Sequence, residues 1–321
     1  MNKKQITTSA LLGLAMGDAL GVPAEFLSRE AVRKLNIKNM EGCDTKPGKL
    51  GRWSEFIPAG AWSDDTSMSV AAMDSIADGG GKIDYEDIMQ RFTDWWKKGE
   101  YTSTGFPFGL GRTCSRALAN HFNGVPALEC GPREISDNGN GSLMRILPFS
   151  LYCIFGNLTM PETVKLIDDA SSLTHGHEIS RLGCLIFTVF LRELIEKDSV
   201  REAWEAARKA NYSKYYSRSA INAFSTLRSP AFYDSGDSCI KETGYVVDTL
   251  MAAVYALIHG HDYESSVLLA LNLGFDTDTN CAVTGALAGA FYGTIPDRWL
   301  GKLLRRNWLR ELADRFAYSL T

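Results

Sequence analysis

The sequence predicts an all-α, compact single domain spanning residues 1–321. Three observations predict it. Apolar residues recur at i, i+3 and i+4 through most of the chain, the period of a helix with one buried face. Alternating runs of strand type are nearly absent. No composition shift, linker or tandem repeat divides the chain, and its 45% hydrophobic content is ample for one large core.

In chain order, helical periodicity covers residues 6–21, 66–77, 85–97, 112–122, 161–173, 178–197, 201–211, 215–227, 245–259, 264–273, 279–292 and 296–319, the last breaking near Arg305. Ser63, Asp84, Ser199 and Asp262 stand where helix N-caps belong. The sequence REIS at 133–136 reads as a short extended piece. Glycine- and proline-rich loops fill 42–60, 99–111, 131–141 and 229–237. Loops over about 12–15 residues without structure of their own are usually functional or disordered.

Two helices share an oddity. Gly13, Gly17 and Gly21 lie four apart, and so do Gly285, Gly289 and Gly293. A glycine inside a helix costs about 1 kcal/mol relative to alanine. Such stripes point to tightly crossed helices in a soluble core.

Composition excludes some classes. A net charge of −4 argues against non-specific nucleic-acid binding. Seven cysteines without a C-x-x-C pair suggest free thiols in a reducing cytoplasm, not a disulfide framework or a zinc site. Lys3 and Lys4 before ALLGLAMG imitate a signal peptide, but Asp18 ends the run and no small-x-small cleavage site follows. Apolar runs such as 184–191 fall short of the roughly 20 residues of a membrane span. A cytoplasmic protein with no membrane partner is expected, and a monomer, since no separate interface helix stands out.

Two acidic clusters interrupt the apolar pattern. WSDDTSM places Ser63, Asp64, Asp65 and Thr66 at a helix start. Acids there suit the helix dipole, but two adjacent acids flanked by hydroxyls exceed what a cap needs. Adjacent helical residues point about 100° apart, so Asp64 and Asp65 could each reach one of two neighbouring ions. LGFDTDT places Asp276, Asp278 and Thr279 within otherwise apolar or small residues. Residues two apart on a helix face nearly opposite ways. The two acids converge only if the chain turns there, at a loop-to-helix junction near Thr279. Two readings stand: unrelated acidic caps, or one oxygen-rich site for Mg²⁺ or Mn²⁺.

Among the histidines, His259 and His261 sit at a helix C-terminus and read as structural. His175, in LTHGHE, is the better substrate contact. In SDNGNGSLMR, residues 136–145, small residues and two asparagines precede a helix expected from Ser142, and Arg145 adds positive charge. Its backbone N–H groups could cradle an anion, or the segment could be a plain turn.

GLAMGDALGVPAE (13–25), WSDDTSM (62–68), NGNGSLMRILP (138–148), LTHGH (173–177) and NLGFDTDTNCAVTGALAGAFYG (272–293) occur together and in order. The chain thereby resembles the ADP-ribosylglycohydrolase family over nearly its whole length. The resemblance implies an all-α orthogonal helical bundle with a metal-centred cleft, and a binuclear Mg²⁺ or Mn²⁺ enzyme that hydrolyses the bond between ADP-ribose and an acceptor such as arginine. Ser63, Asp64, Asp65, Asp276, Asp278 and Thr279 would be the metal ligands. Glu25, Asp65 and Asp278 would be catalytic, with Asp65 or Glu25 orienting or deprotonating the water. Asp137, Asn138, Gly139, Asn140, Gly141, Ser142, Met144 and His175 would bind the ADP-ribose. The partner would be an ADP-ribosylated protein or ADP-ribose conjugate. Arginine-directed relatives carry F-D-I-G after Y-T-x-x-G, whereas this chain reads YTSTGFPFGLGRT, with Gly109 in place of the aspartate. The acceptor is therefore open between arginine, with Glu100 or Asp137 substituting, and an O-linked or small-molecule conjugate. A smaller departure is THGHEIS, which lacks the proline expected after the histidine. A non-catalytic ADP-ribose-binding protein is the alternative class, and the intact SDD and DTDT clusters argue against it.

Overall fold

A computed structural model describes residues 1–44 and 56–320. Among these residues the chain forms fifteen α-helices: α1 (Lys3–Gly21), α2 (Arg29–Leu35), α3 (Asp64–Asp78), α4 (Tyr85–Lys98), α5 (Arg112–Phe122), α6 (Leu147–Phe155), α7 (Met160–Ser172), α8 (Glu178–Glu196), α9 (Val200–Lys209), α10 (Arg218–Ala223), α11 (Val246–His259), α12 (Tyr263–Leu271), α13 (Thr277–Tyr292), α14 (Asp297–Leu300) and α15 (Arg306–Ser319). The strands β1 (Cys43–Asp44) and β2 (Phe56–Ile57) pair antiparallel, Cys43 opposite Ile57. Residues 45–55 of the long loop expected at 42–60 lie outside the described residues. Cys114, Cys130, Cys153, Cys184, Cys239 and Cys281 are free thiols.

The expected helices form, with instructive differences. The caps act as read: Asp84 accepts from Glu86 and Asp87, Ser199 from Glu202 and Asp262 from Ser265. The final segment breaks at Arg305, whose φ is +51°. Only Arg218–Ala223 of the 215–227 segment is α-helical. Residues 135–137 turn as a 3₁₀ helix and not as an extended piece. The helix expected from Ser142 begins at Leu147, after a run of turns. α2 and α6 have no clear periodicity in the sequence. α2 buries Val32 alone, and α6 is apolar on nearly every side.

α1 is the central helix. By length and composition the stretch Lys3–Ala24 is apolar enough to cross a membrane, which corrects the run-length reading, but 89% of its most apolar window is buried inside the protein. Its partner is α13. A Cβ on Gly13 would stand 2.2 Å from Gly285 O, on Gly17 2.0 Å from Cys281 O, on Gly21 2.3 Å from Thr277 O, and on Gly289 2.2 Å from Ser9 O. Each step up one helix is a step down the other, so the two run antiparallel with their backbones in contact. Gly293 does not join the stripe. It caps α13 in the left-handed conformation, φ +71°. Tyr263 and Thr277 lock the crossing by donating hydroxyls to Gly13 O (2.7 Å) and Gly21 O (2.8 Å).

This register positions the site. The C-terminal end of α1, with Asp18 and Glu25 beyond it, lies beside the N-terminus of α13, with Asp276 and Asp278. The pairing continues past the helices as a bridge between Leu27 and Phe275. Asp18, wholly buried on α1, then draws in α3. Its carboxylate accepts from Ser63 N (3.0 Å), Thr66 N (3.1 Å) and Thr66 Oγ1 (2.6 Å). The expected cap Ser63 holds Asp65 N only at 3.4 Å, so the firmer cap of α3 comes from another helix. Asp18→Ala would strand several buried donors, each costing about 1–3 kcal/mol. We expect it to destabilise the fold by roughly 3 kcal/mol in denaturant titration. An unchanged midpoint would show that water satisfies these donors as well.

Candidate active site

Glu25, Asp64, Asp65, Asp276, Asp278 and Thr279 line one cleft of about 660 Å³, together with Gly139, Asn140, Gly141, Met144 and His175. The two acidic clusters therefore do meet. Asp276 is the N-cap residue of α13, at φ −88° and ψ 64°, and the helix starts at Thr277, two residues before the expected Thr279. Ahead of it the chain turns through Gly274 (φ +77°) and Phe275 (φ +63°). That turn brings Asp276 and Asp278 to one side. Carboxylate oxygens of Glu25, Asp276 and Asp278 lie within 4.8 Å of one another. Asp64 and Asp65 come from the first turn of α3. Ser63 donates its hydroxyl to Asp65 Oδ2 at 3.2 Å, and Thr279 N donates to Asp278 Oδ1 at 2.9 Å.

The electrostatics are those of a site built for positive charge. Burial, then repulsion from neighbouring acids, holds Glu25, Asp65 and Asp278 well above the usual carboxylate range. Burial and Asp18 push Asp64 up to about 8. Asp18 is raised only to about 6, because the hydrogen bonds it accepts from Ser63 and Thr66 oppose the cost of burial. Such a set is stable only if protonated or if a cation neutralises it. Asp65 Oδ1 is buried without a hydrogen-bond partner. An orphaned carboxylate oxygen among convergent carboxylates is the donor set that hard divalent cations take.

The glycine-rich loop divides into two roles. Gly139, Asn140, Gly141 and Met144 face the cleft. Asp137, Asn138 and Ser142 do not line it. Asp137 pairs with Arg116 at 2.7 Å. Asn138 Nδ2 donates to Ile135 O, and its Oδ1 accepts from Ser180 N and Oγ. Ser142 is shared between Ser171 and Cys184. Asn140 joins the loop to the acids, donating to Asp276 Oδ2 (2.7 Å) and Thr249 Oγ1 (2.9 Å). A side chain at 141 would crowd the wall: a Cβ would stand 2.9 Å from His175 Cε1 and 2.7 Å from Cys114 Sγ. Burial and Arg145 lower His175 to about 3, so its ring is neutral near pH 7. Arg145 does not line the cleft, and its charge reaches it only through the wall. It is fully buried, donating to Ala170 O and Thr174 Oγ1 and lying over Phe92.

The acceptor side differs from expectation too. Gly109 lines the cleft at φ +89°, and a Cβ there would stand 2.3 Å from Asp64 Oδ1. Glu100 and Asp137, the expected substitutes, are not among the cleft-lining residues.

Sequence reasoning missed three things. Asp18 had a signal: a lone acid deep in an apolar helix must be paired. Cys114 and Gly244, on the cleft wall, had none. Phe26 and Phe275 also line the cleft, and both hold positive φ, +62° and +63°. Non-glycine strain of this kind costs about 1–3 kcal/mol per residue. Their edge-to-face contact, at 5.7 Å and 73°, returns only about 0.5–1.5 kcal/mol.

Carboxylates gathered along one cleft, beside a glycine-rich wall on a helical frame, make up the candidate site of this chain. The chain belongs to the ADP-ribosylglycohydrolase family, whose family model matches residues 2–320. It is 31% identical to an ADP-ribosylarginine hydrolase of Serratia proteamaculans, over 96% of this chain and 78% of that one. It is 30% identical to the ADP-ribosyl-[dinitrogen reductase] glycohydrolase of Rhodospirillum rubrum, over 92% and 88%. A solved structure described as an ADP-ribosylglycohydrolase-related protein complex aligns with a TM-score of 0.76 and 29% identity, covering 99% of both chains.

Proposed function

We propose that this protein hydrolyses the glycosidic bond joining ADP-ribose to an acceptor side chain, with divalent cations, Mg²⁺ or Mn²⁺, held by the acidic cleft. The observation that carries this reading is the convergence of Glu25, Asp276 and Asp278 within 4.8 Å beside the Gly139–Gly141 wall. In this reading Asp64, Asp65, Asp276, Asp278 and Thr279 hold two cations, with Ser63 orienting Asp65. When bound, a divalent cation acts as a Lewis acid and lowers the pKa of a coordinated water.

The protein's own groups do the rest. The Glu25 carboxylate, or Asp65 through the oxygen not given to a cation, takes a proton from water as the water oxygen bonds to the ribosyl C1″; the bond to the acceptor breaks, and the acceptor leaves with the bonding pair and that proton. The carboxylates also stabilise the oxocarbenium character that develops at that carbon. Gly139 and Gly141 let the diphosphate approach the backbone closely, and neutral His175 lies beneath them. Asp137, Asn138 and Ser142 act one step back, fixing the loop. The family relatives that act on ADP-ribosylated arginine or dinitrogenase reductase support the substrate class. We place the protein in the cytoplasm on the strength of its free thiols.

Incubation with ADP-ribosylated protein, with and without Mg²⁺ or Mn²⁺, tests the function through release of free ADP-ribose. Tight ADP-ribose binding without turnover would instead favour a sensor. A cation that binds only the folded state at 100 times its Kd stabilises by about 2.7 kcal/mol. For a chain of this size that corresponds to about 5 °C in Tm. We expect Mn²⁺ to raise Tm by that amount and EDTA to reverse it. Identical melting in cation and chelator would remove the metal from the scheme.

A further inference from the structure

The function proposed above leaves the acceptor unrecognised, and the inference here rests on that reading. Phe26 and Phe275 immediately adjoin Glu25 and Asp276 in sequence and line the same cleft. They are joined across the chain by two backbone bonds: Phe26 N donates to Phe275 O at 2.5 Å, and Phe275 N to Leu27 O at 2.7 Å. Both keep a large ring at positive φ, where a glycine would sit without strain. Their mutual contact is too weak to offset that strain, so packing between the two does not explain them. Phe26 remains 40% exposed, and the edge-to-face arrangement leaves ring surface open beside the acids.

The Gly109 stretch of the lining offers an acceptor no acidic side chain: its neighbours there are Gly111, Arg112 and Thr113. Gly109 has no side chain, and any Cβ there collides with Asp64. No other carboxylate lines the cleft beyond Glu25 and the four aspartates. A cationic acceptor leaving this site therefore finds an aromatic face and not a dedicated ion-pair partner. A planar guanidinium is the acceptor that uses such a face, since it stacks on aromatic rings while still donating hydrogen bonds at its edge. A serine hydroxyl offers no plane to stack.

We propose that Phe26 and Phe275 form the acceptor platform of the cleft and select ADP-ribose linked to a guanidinium by stacking on it. The test is steady-state hydrolysis of ADP-ribosyl-arginine and ADP-ribosyl-serine peptides with Mn²⁺, using the full chain, F26A, F26Y and F275G, with free ADP-ribose as a competitive inhibitor. The full chain should act on the arginine-linked peptide. F26A should raise KM for it about tenfold, between the sizes of an exposed and a fully desolvated cation–π contact. F26Y should keep the parental KM, and F275G, which removes ring and strain together, should raise it. The inhibition constant of free ADP-ribose, which has no acceptor, should stay within about twofold of its starting value, whereas damage to the cleft would move both. A KM unchanged by F26A and F275G, an equal loss of ADP-ribose binding, or activity confined to the serine-linked peptide would overturn the platform while leaving the hydrolase intact. Release of ADP-ribose from neither peptide would overturn the hydrolase reading itself.

Discussion

Asp278→Asn is expected to abolish ADP-ribose release, with kcat/KM falling at least about 100-fold, beyond the 10–100-fold range seen for groups that merely support a metal site. Asp278 is buried in the first turn of α13, and its carboxylate lies within 4.8 Å of those of Glu25 and Asp276. Asparagine keeps the shape and one acceptor oxygen but removes the charge. The fold should survive, because the substitution relieves repulsion in a cluster where burial and neighbouring acids already disfavour ionisation. Without cation, therefore, the variant should melt no lower than the parent, while the gain in Tm on adding Mn²⁺ shrinks. An active variant with parental cation response would mean that Asp278 is not a ligand.

Gly17→Ala should have the largest effect on stability of any alanine substitution along the α1–α13 crossing. The added Cβ would stand 2.0 Å from Cys281 O and 2.5 Å from Cys281 C, both backbone atoms that cannot swing away. Elsewhere alanine gains about 1 kcal/mol over glycine within a helix. Here the helices must separate, and overpacking of this kind costs typically 1–3 kcal/mol and sometimes more. We expect a loss at the top of that range, about 3 kcal/mol, and a Tm lower by about 6 °C or more. Gly236→Ala is the control. Its Cβ would meet only Ser238 Oγ at 3.9 Å, so surface-like neutrality within about 0.5 kcal/mol is expected. Equal melting of the two variants would contradict backbone contact between α1 and α13. Since that crossing aligns Asp18 and Glu25 with Asp276 and Asp278, any soluble Gly17→Ala protein should also bind cation less tightly.

Much of this was legible because it is local. The i, i+3, i+4 pattern, the Asp84, Ser199 and Asp262 caps and the break at Arg305 each depend on a few neighbouring residues. The glycine stripes were legible for the same reason, since four-residue spacing marks one face of a helix. Where local signals failed, the cause is physical. α6 is apolar on nearly every side and has no period to detect. The turns through residues 141–145 look like a helix start, because serine followed by apolar residues satisfies the same local rule. Asn138 and Asn140 are indistinguishable in sequence, yet the first is spent on Ile135 and Ser180 and the second reaches Asp276.

The sequence by itself determined an all-helical chain, two acidic clusters, a glycine-rich loop and two helices shaped for close contact. Only the tertiary structure decided that these meet. Gly21 and Thr277 are 256 residues apart, and their contact registers α1 against α13. That register carries Glu25 to Asp276 and Asp278, and Asp18 to the start of α3. It also sets two strained phenylalanines on the wall of the cleft. Spacing along a chain fixes which face a residue occupies. Which faces then confront one another depends on backbone approach across the whole fold, and in this protein small residues at one crossing settle it.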